Sequence, residues 1–166
     1  MKKILAFALM LALVLSCGAV AFAANSPVSH KTSNNGGGTT SLPAANFELD
    51  LYDGTDNKIE EIDQNKIVYA PVGYAGFLLK ADREAFLNAY EDVKAIKDKV
   101  VKFFFWLNVK DGYKIPAGDY LRYDFTCKGE NVQCQVNGKD MEVVHVDGND
   151  YYAKLTELGA VSILCD

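Results

Sequence analysis

Serine, histidine and basic residues are scarce in the long C-terminal part of this chain, and each shortage removes a chemistry. Residues 47–166 hold one serine, Ser162, and one histidine, His145. A Ser-His-Asp arrangement needs these two to meet with Ser162 open to substrate, yet Ser162 falls in an apolar run that reads as a buried strand. A metalloprotease helix needs two histidines where this stretch has one. There is no Gly-rich phosphate loop and no dinucleotide fingerprint. Asp53-Gly54-Thr55-Asp56-Asn57 starts like a calcium loop, but Lys58 stands where the tight turn needs glycine, so a solvated turn is the reading. Glu60-Glu61 and Glu91-Asp92 read as solvated faces rather than as a glycosidase pair. The same residues carry 14 Lys and Arg against 22 Asp and Glu, which argues against a nucleic-acid partner. The expectation is a protein without catalytic residues, metal or cofactor.

Cysteine is present but does not fall into a metal-binding pattern. Cys127, Cys134, His145 and Cys165 are four soft ligand types, but zinc sites favour short Cys-x-x-Cys pairs and the spacing here is Cys-x6-Cys. Each cysteine is in phase with the apolar face of its strand, as a buried thiol acting as a small hydrophobe would be. With three cysteines beyond the leader, one stays unpaired in any disulfide. In a simple hairpin through residues 128–131, Cys127 and Cys134 sit diagonally, a poor separation for a bond. Cys165 is the candidate partner of either Cys127 or Cys134.

Lys2-Lys3, the apolar run Ile4 to Leu15, and small residues at Ala21 and Ala23 read as a secretory signal over residues 1–23, cleaved before Ala24. A lipoprotein is the alternative, because Val14-Leu15-Ser16-Cys17 resembles a lipobox with Cys17 as the lipidated residue. Membrane association is expected only if Cys17 is lipidated or the signal stays uncleaved. Residues 24–46, rich in Ser, Thr, Asn and Gly and free of aromatics, read as a flexible linker. Residues 47–166 are one domain's worth of chain.

Within that domain, Phe47, Leu49 and Leu51 alternate with polar residues up to the Asp53-Gly54 turn, a half-buried strand. Residues 67–69 and 76–79 are further strand candidates. Phe86, Tyr90, Val93, Ile96 and Val100 recur at helical spacing, which predicts one amphipathic helix near residues 83–99 with Asp82 as N-cap. Phe103, Phe105, Leu107 and Val109 share a face while Phe104 and Trp106 occupy the other, so this strand should be covered on both sides. Further strands follow at 121–127, 132–136, 141–146, 151–155 and 160–165. Asn137-Gly138 is the strongest hairpin signal. Short strands joined by tight turns predict a mainly β domain: an antiparallel β-sandwich of immunoglobulin-like type with the helix inserted.

Ile115-Pro116-Ala117-Gly118-Asp119-Tyr120-Leu121 resembles the Pro-x-Gly-x-Tyr strand entry of immunoglobulin-like and prealbumin-like modules in Gram-positive surface proteins. Leader, polar linker and compact β domain together resemble small exported proteins of gut-dwelling Gram-positive bacteria. The resemblance implies a secreted, extracellular or cell-envelope location and an interaction role. Many such modules carry a Lys–Asn isopeptide bond between first and last strands, but residues 47–52 lack Lys and residues 160–165 lack Asn.

Residues 47–166 hold 17 aromatics, and Phe103, Phe105, Tyr123 and Phe125 belong in the core. Tyr113, Tyr120, Tyr151 and Tyr152 lie at turns or on outward phases, where a ring can stack on a sugar or a protein. With Trp106 they are the candidate binding residues. The expected function is a non-catalytic surface interaction module for a protein or glycan. The alternative is a small carbohydrate-binding module built on Trp106 or the tyrosines, and a glycan hydrolase is a distant third.

Overall fold

The computed structural model describes Leu42 and residues 47–166. The leader, Cys17 and the rest of the linker lie outside the described residues. The chain forms strands β1 (Asp50–Tyr52), β2 (Lys58–Glu61) and β3 (Ile67–Pro71), followed by helix α1 (Lys80–Lys94). Then come β4 (Val100–Val109), β5 (Tyr120–Thr126), β6 (Gln133–Val136), β7 (Lys139–Asp147), β8 (Asp150–Leu155) and β9 (Gly159–Cys165). All neighbouring strands are antiparallel, in the order β2-β1-β5-β8-β7-β6-β9-β4-β3.

The domain is therefore mainly β with an amphipathic helix, and its strands hydrogen-bond into one curled sheet where two packed sheets were expected. Continuity runs through β7, whose Lys139, Asp140 and Met141 pair with β6 while Glu142 to Asp147 pair with β8. The curl brings distant strands face to face. Phe105 of β4 and Tyr123 of β5 have ring centroids 5.4 Å apart, although four strands separate β4 from β5 in the sheet. Leu107, Leu121, Val136, Leu155, Val161 and Ile163 are fully buried in the inner core.

The outer face of β4 and β9 is also apolar, and α1 covers it. Phe86 and Val93 of α1 lie over Phe104, Trp106, Ala160 and Leu164. Phe86 stacks on Phe104 at 5.0 Å and meets Trp106 edge-on at 6.0 Å. Leu42 packs against this outer cluster as well.

Several expectations change. The helix spans Lys80–Lys94 rather than 83–99, with Leu79 at the N-cap and Asp82 inside the first turn. Asp82 there still faces the positive helix end. Val100 opens β4 instead of closing the helical stripe, because Val100 and Val101 pair with Cys165 and Leu164 of β9. Residues 76–79 form no strand. A 3-10 turn covers Val72–Phe77, and the Arg83 guanidinium donates to the carbonyls of Gly76 (2.9 Å) and Leu78 (3.0 Å).

Pairing also differs. β5 and β6 are not hairpin partners: β5 lies between β1 and β8, and β6 between β7 and β9. The predicted 128–131 hairpin is thus a crossing loop. The Asn137-Gly138 turn does join β6 to β7, with both residues at positive φ (52° and 78°) as a type I′ turn needs. Before β5, Asp119 N–H donates to the Pro116 carbonyl at 3.1 Å and Gly118 takes φ 92°, a type II turn that delivers Tyr120 as the first strand residue.

If α1 is held by this outer cluster, Phe86→Ala should cost about 3–5 kcal/mol, the usual cost of removing a buried ring. A urea melt reads this directly. A loss below about 1 kcal/mol would show that the helix does not depend on its packing against β4.

Candidate functional site

The five aromatic candidates fall in three places. Tyr120 and Tyr152 lie on the outer face of β5 and β8, Tyr151 on the opposite face of β8, and Trp106 with Tyr113 beside a cleft. Adjacent Tyr151 and Tyr152 point to opposite sides, as strand geometry demands.

On the outer face of β1, β5 and β8, rings and charges cover one another. Tyr52 stacks on Tyr120 with centroids 5.5 Å apart and planes 8° from parallel. The Tyr120 hydroxyl donates to Asp56 Oδ1 at 2.7 Å, and Lys154 Nζ donates to the same oxygen at 2.9 Å while lying 4.9 Å from the Tyr120 ring centroid. Tyr120 is only 6 % exposed. Burial, then the bond to Asp56, pushes its hydroxyl above the usual phenol range, while the Tyr120 hydroxyl and Lys154 hold Asp56 low. Arg122 chelates Asp124 at 2.7–3.1 Å and lies 4.2 Å over the Tyr152 ring. Both tyrosines therefore have cations on their faces, and this wall is cross-strand packing.

Tyr151 closes the open end of the core. It stacks on Phe125 at 5.8 Å and meets His145 at 4.9 Å. His145 is exposed and its Nε2 is 3.0 Å from the Gly148 carbonyl oxygen. It lies across from Tyr151, on the face opposite Ser162, whose buried hydroxyl has no hydrogen-bond partner and sits in line with Ala160 and Leu164 under α1. The two residues a serine hydrolase would need are on different sides of the sheet.

A cleft of about 330 Å³ lies where the β4–β5 and β8–β9 connections flank the outer face of β4. Its walls include Trp106, Asn108, Tyr113, Ile115, Glu157 and Leu158. Trp106 is 7 % exposed, with its indole packed under the helix, so it shows the cleft little of its face. Tyr113 is half-buried, its hydroxyl 3.5 Å from Glu60 Oε1, and burial followed by the Glu60 charge raises its pKa. Glu157 Oε2 takes Lys139 at 2.8 Å, whereas its Oε1 is enclosed without a partner.

Sequence reasoning missed an exposed apolar group at the start of α1. Phe77 is 48 % exposed, Leu79 77 % and Leu87 39 %, while Leu78 between the first two is buried at 6 %. The Arg83 clamp on the Gly76 and Leu78 carbonyls fixes this alternation, and Leu87 follows Arg83 by one helical turn on the same face. Tyr74 lies 5.9 Å from Phe77. The signal available in the sequence was a run, Gly76 to Leu79, too short for a strand of its own and followed at once by the helix.

Cys127, Cys134 and Cys165 are buried free thiols on the inner side. Burial pushes Cys134 up to about 12, and burial together with the neighbouring Cys165 pushes Cys127 up to about 11. Among the described residues no three His, Cys, Asp or Glu side chains are grouped to hold a metal ion. In the loop that begins like a calcium site, Asp53 accepts instead from Thr55 N–H (2.8 Å), the Thr55 hydroxyl (2.7 Å) and Asn57 N–H (3.0 Å). These donors hold its carboxyl down to about 2.

A carboxyl with a lowered folded pKa contributes stability above its ordinary value, and the contribution fades as pH falls toward the folded value. The stability difference between the wild-type chain and Asp53→Ala should therefore be constant above about pH 5 and shrink between about pH 4 and pH 2. Urea melts across that range test it, and a difference independent of pH would show that the Asp53 charge does not hold the turn.

No family model, curated protein or solved structure matches this chain.

Proposed function

We propose that this chain is an exported, non-catalytic interaction module of the bacterial cell surface or extracellular space, engaging a protein partner through the apolar group Phe77, Leu79 and Leu87. The observation that carries the reading is the arrangement around Leu78. Arg83 holds the backbone so that Leu78 enters the core while its two apolar neighbours face water. Exposed large side chains on a braced segment suit partner binding, because little ordering entropy is lost on association. The leader and the Ser/Thr/Asn/Gly linker support export and a spacer role. The likeness to immunoglobulin-like surface modules belongs to the same reading, the two arms of the curled sheet serving as the layers of a sandwich. Nucleic acid and cofactors have no part in it, and membrane contact enters only through a lipidated Cys17 or a retained leader.

The second reading, a small carbohydrate-binding module, is favoured by one observation: the cleft that brings Tyr113 and the edge of Trp106 together. Its volume is at the lower end for small-ligand sites. The covered faces of Tyr120 and Tyr152 leave it without a row of open rings.

The two readings part on one pair of variants. Phe77→Ser with Leu79→Ser should leave the melting curve within about 0.5 kcal/mol of wild type, as surface changes do. The same double variant should lower retention of surface proteins from the producing cell at least about tenfold, the effect of losing a contact worth about 1.4 kcal/mol. Unchanged protein retention sinks the patch. Saturable retention on one insoluble polysaccharide, abolished by Tyr113→Ala, would move the function to the cleft.

A further inference from the structure

We infer that Cys127 and Cys165 join as a disulfide when the chain folds under oxidising conditions, leaving Cys134 as the free thiol. The two cysteines come from opposite arms of the curled sheet, at the end of β5 and the end of β9, and both belong to the inner core. The Cys165 Sγ lies 3.8 Å from the carbonyl oxygen of Lys128, the residue next to Cys127. Cys127 also feels the Cys165 thiol as a neighbour, which adds to burial in raising its pKa.

The loop after Cys127 is shaped around this sulfur. Gly129 takes φ 154°, and a side chain there would place its Cβ 2.3 Å from Cys165 Sγ. Only glycine lets the loop lie so close. The same loop grips the end of β9 from outside: Asp166 N–H donates to the Glu130 carbonyl at 2.9 Å, and the Asp166 carboxylate takes Asn131 and Lys99. The end of β9, with Cys165, is thus held beside the residues that follow Cys127 by several independent contacts.

Cys134 is placed differently. In the β6–β9 ladder it stands opposite Ile163, two residues from Cys165, which makes the pair diagonal. Diagonal neighbours in a sheet are too far apart for an unstrained bond. Burial alone raises its pKa, with no thiol contributing.

The chemistry is thiol–disulfide exchange with a disulfide oxidant, either a protein oxidase or oxidised glutathione. One thiolate attacks the oxidant's S–S bond to give a mixed disulfide and releases one thiol. The second thiolate then displaces the remaining sulfur, so the two cysteines lose two electrons and the oxidant leaves as two thiols. Buried thiols are shielded from oxidants and react slowly. The bond therefore forms during folding, before β9 closes the core, and is protected afterwards. Its occurrence in the producing organism rests on the export reading, whereas the pairing rests on geometry alone.

The test separates the two. The full chain, reduced and denatured, is refolded with a reduced/oxidised glutathione couple, alkylated and peptide-mapped. The expected result is one cross-linked peptide joining Cys127 to Cys165, alkylation at Cys17 and Cys134, and a melting temperature about 10–15 °C above that of the reduced protein. A bond involving Cys134 or Cys17, or full alkylation of all four cysteines, overturns the pairing without needing any variant to fold. The same map on protein recovered from the producing culture then tests export. The cross-link in refolded but not in recovered protein would count against an oxidising destination and leave the pairing intact.

Discussion

The structure depends on one strand with two apolar faces. β4 places Phe103, Phe105, Leu107 and Val109 on one side and Phe104 and Trp106 on the other, so both sides must leave water. Curling the sheet buries the first side against β5 and its neighbours. The second side needs a separate cover, and the segment between β3 and β4 supplies it as α1. A one-residue slip in the β4–β9 register would exchange the two faces and put each ring set against the wrong surface, so the packing fixes the register as firmly as the hydrogen bonds do. The helix is thereby tied to the sheet's apolar outer face, and its entry at Leu79 is where the chain has to leave apolar side chains in water.

The other arm of the sheet solves the same problem without a helix. On the outer side of β1, β5 and β8, the Tyr52–Tyr120 stack, the Arg122 cover on Tyr152 and the Lys154 contacts with Asp56 and Glu142 form a thin layer of rings and ion pairs. Individually these exposed pairs contribute little, about 0–1 kcal/mol each. Together they shield the rings, and the charges are nearly matched even though the domain as a whole is acidic. Tyr120 and Tyr152 are outward-phased, yet neither offers an open ring face. Their faces are occupied because Tyr52 and Lys154 lie against Tyr120 and Arg122 lies over Tyr152.

What could be read from the sequence was local. The two-faced pattern of β4, the Asn137-Gly138 turn, the buried position of Ser162 and the inward phase of the cysteines all follow from residue spacing. What could not be read depends on distant partners. β2 is Lys58-Ile59-Glu60-Glu61, an edge strand with no buried residue, so no alternation marks it. β5 was paired with β6 because they are adjacent in sequence, whereas each finds its neighbours elsewhere. A β5–β6 hairpin would set Cys127 and Cys134 on neighbouring strands, whereas β8 and β7 lie between β5 and β6. The helix boundary moved because β4 claims Val100 and Val101 for its ladder with β9, a demand that helical periodicity alone cannot register.

β9 shows how far this non-local order reaches. It lies between β6 and β4, and all seven of its residues are buried. Without it, hydrogen bonding leaves two unconnected pieces, the β2-β1-β5-β8-β7-β6 meander and the β4-β3 pair with its helix. Neither piece can cover the two faces of β4 alone: the pair keeps α1 but loses the opposite arm, and the meander keeps the arm but loses the strand. Such long-range pairing is slow to form, since loop closure must precede the contacts that reward it. The interactions at the end of β9 therefore carry more weight than their number suggests. Asp166 with Lys99 and Asn131, the Glu130 carbonyl, and the fit of Gly129 against Cys165 hold the strand at the point where β4, α1's exit and the β5–β6 loop converge. This convergence holds the inner core and the helix-covered outer face together as one folding unit.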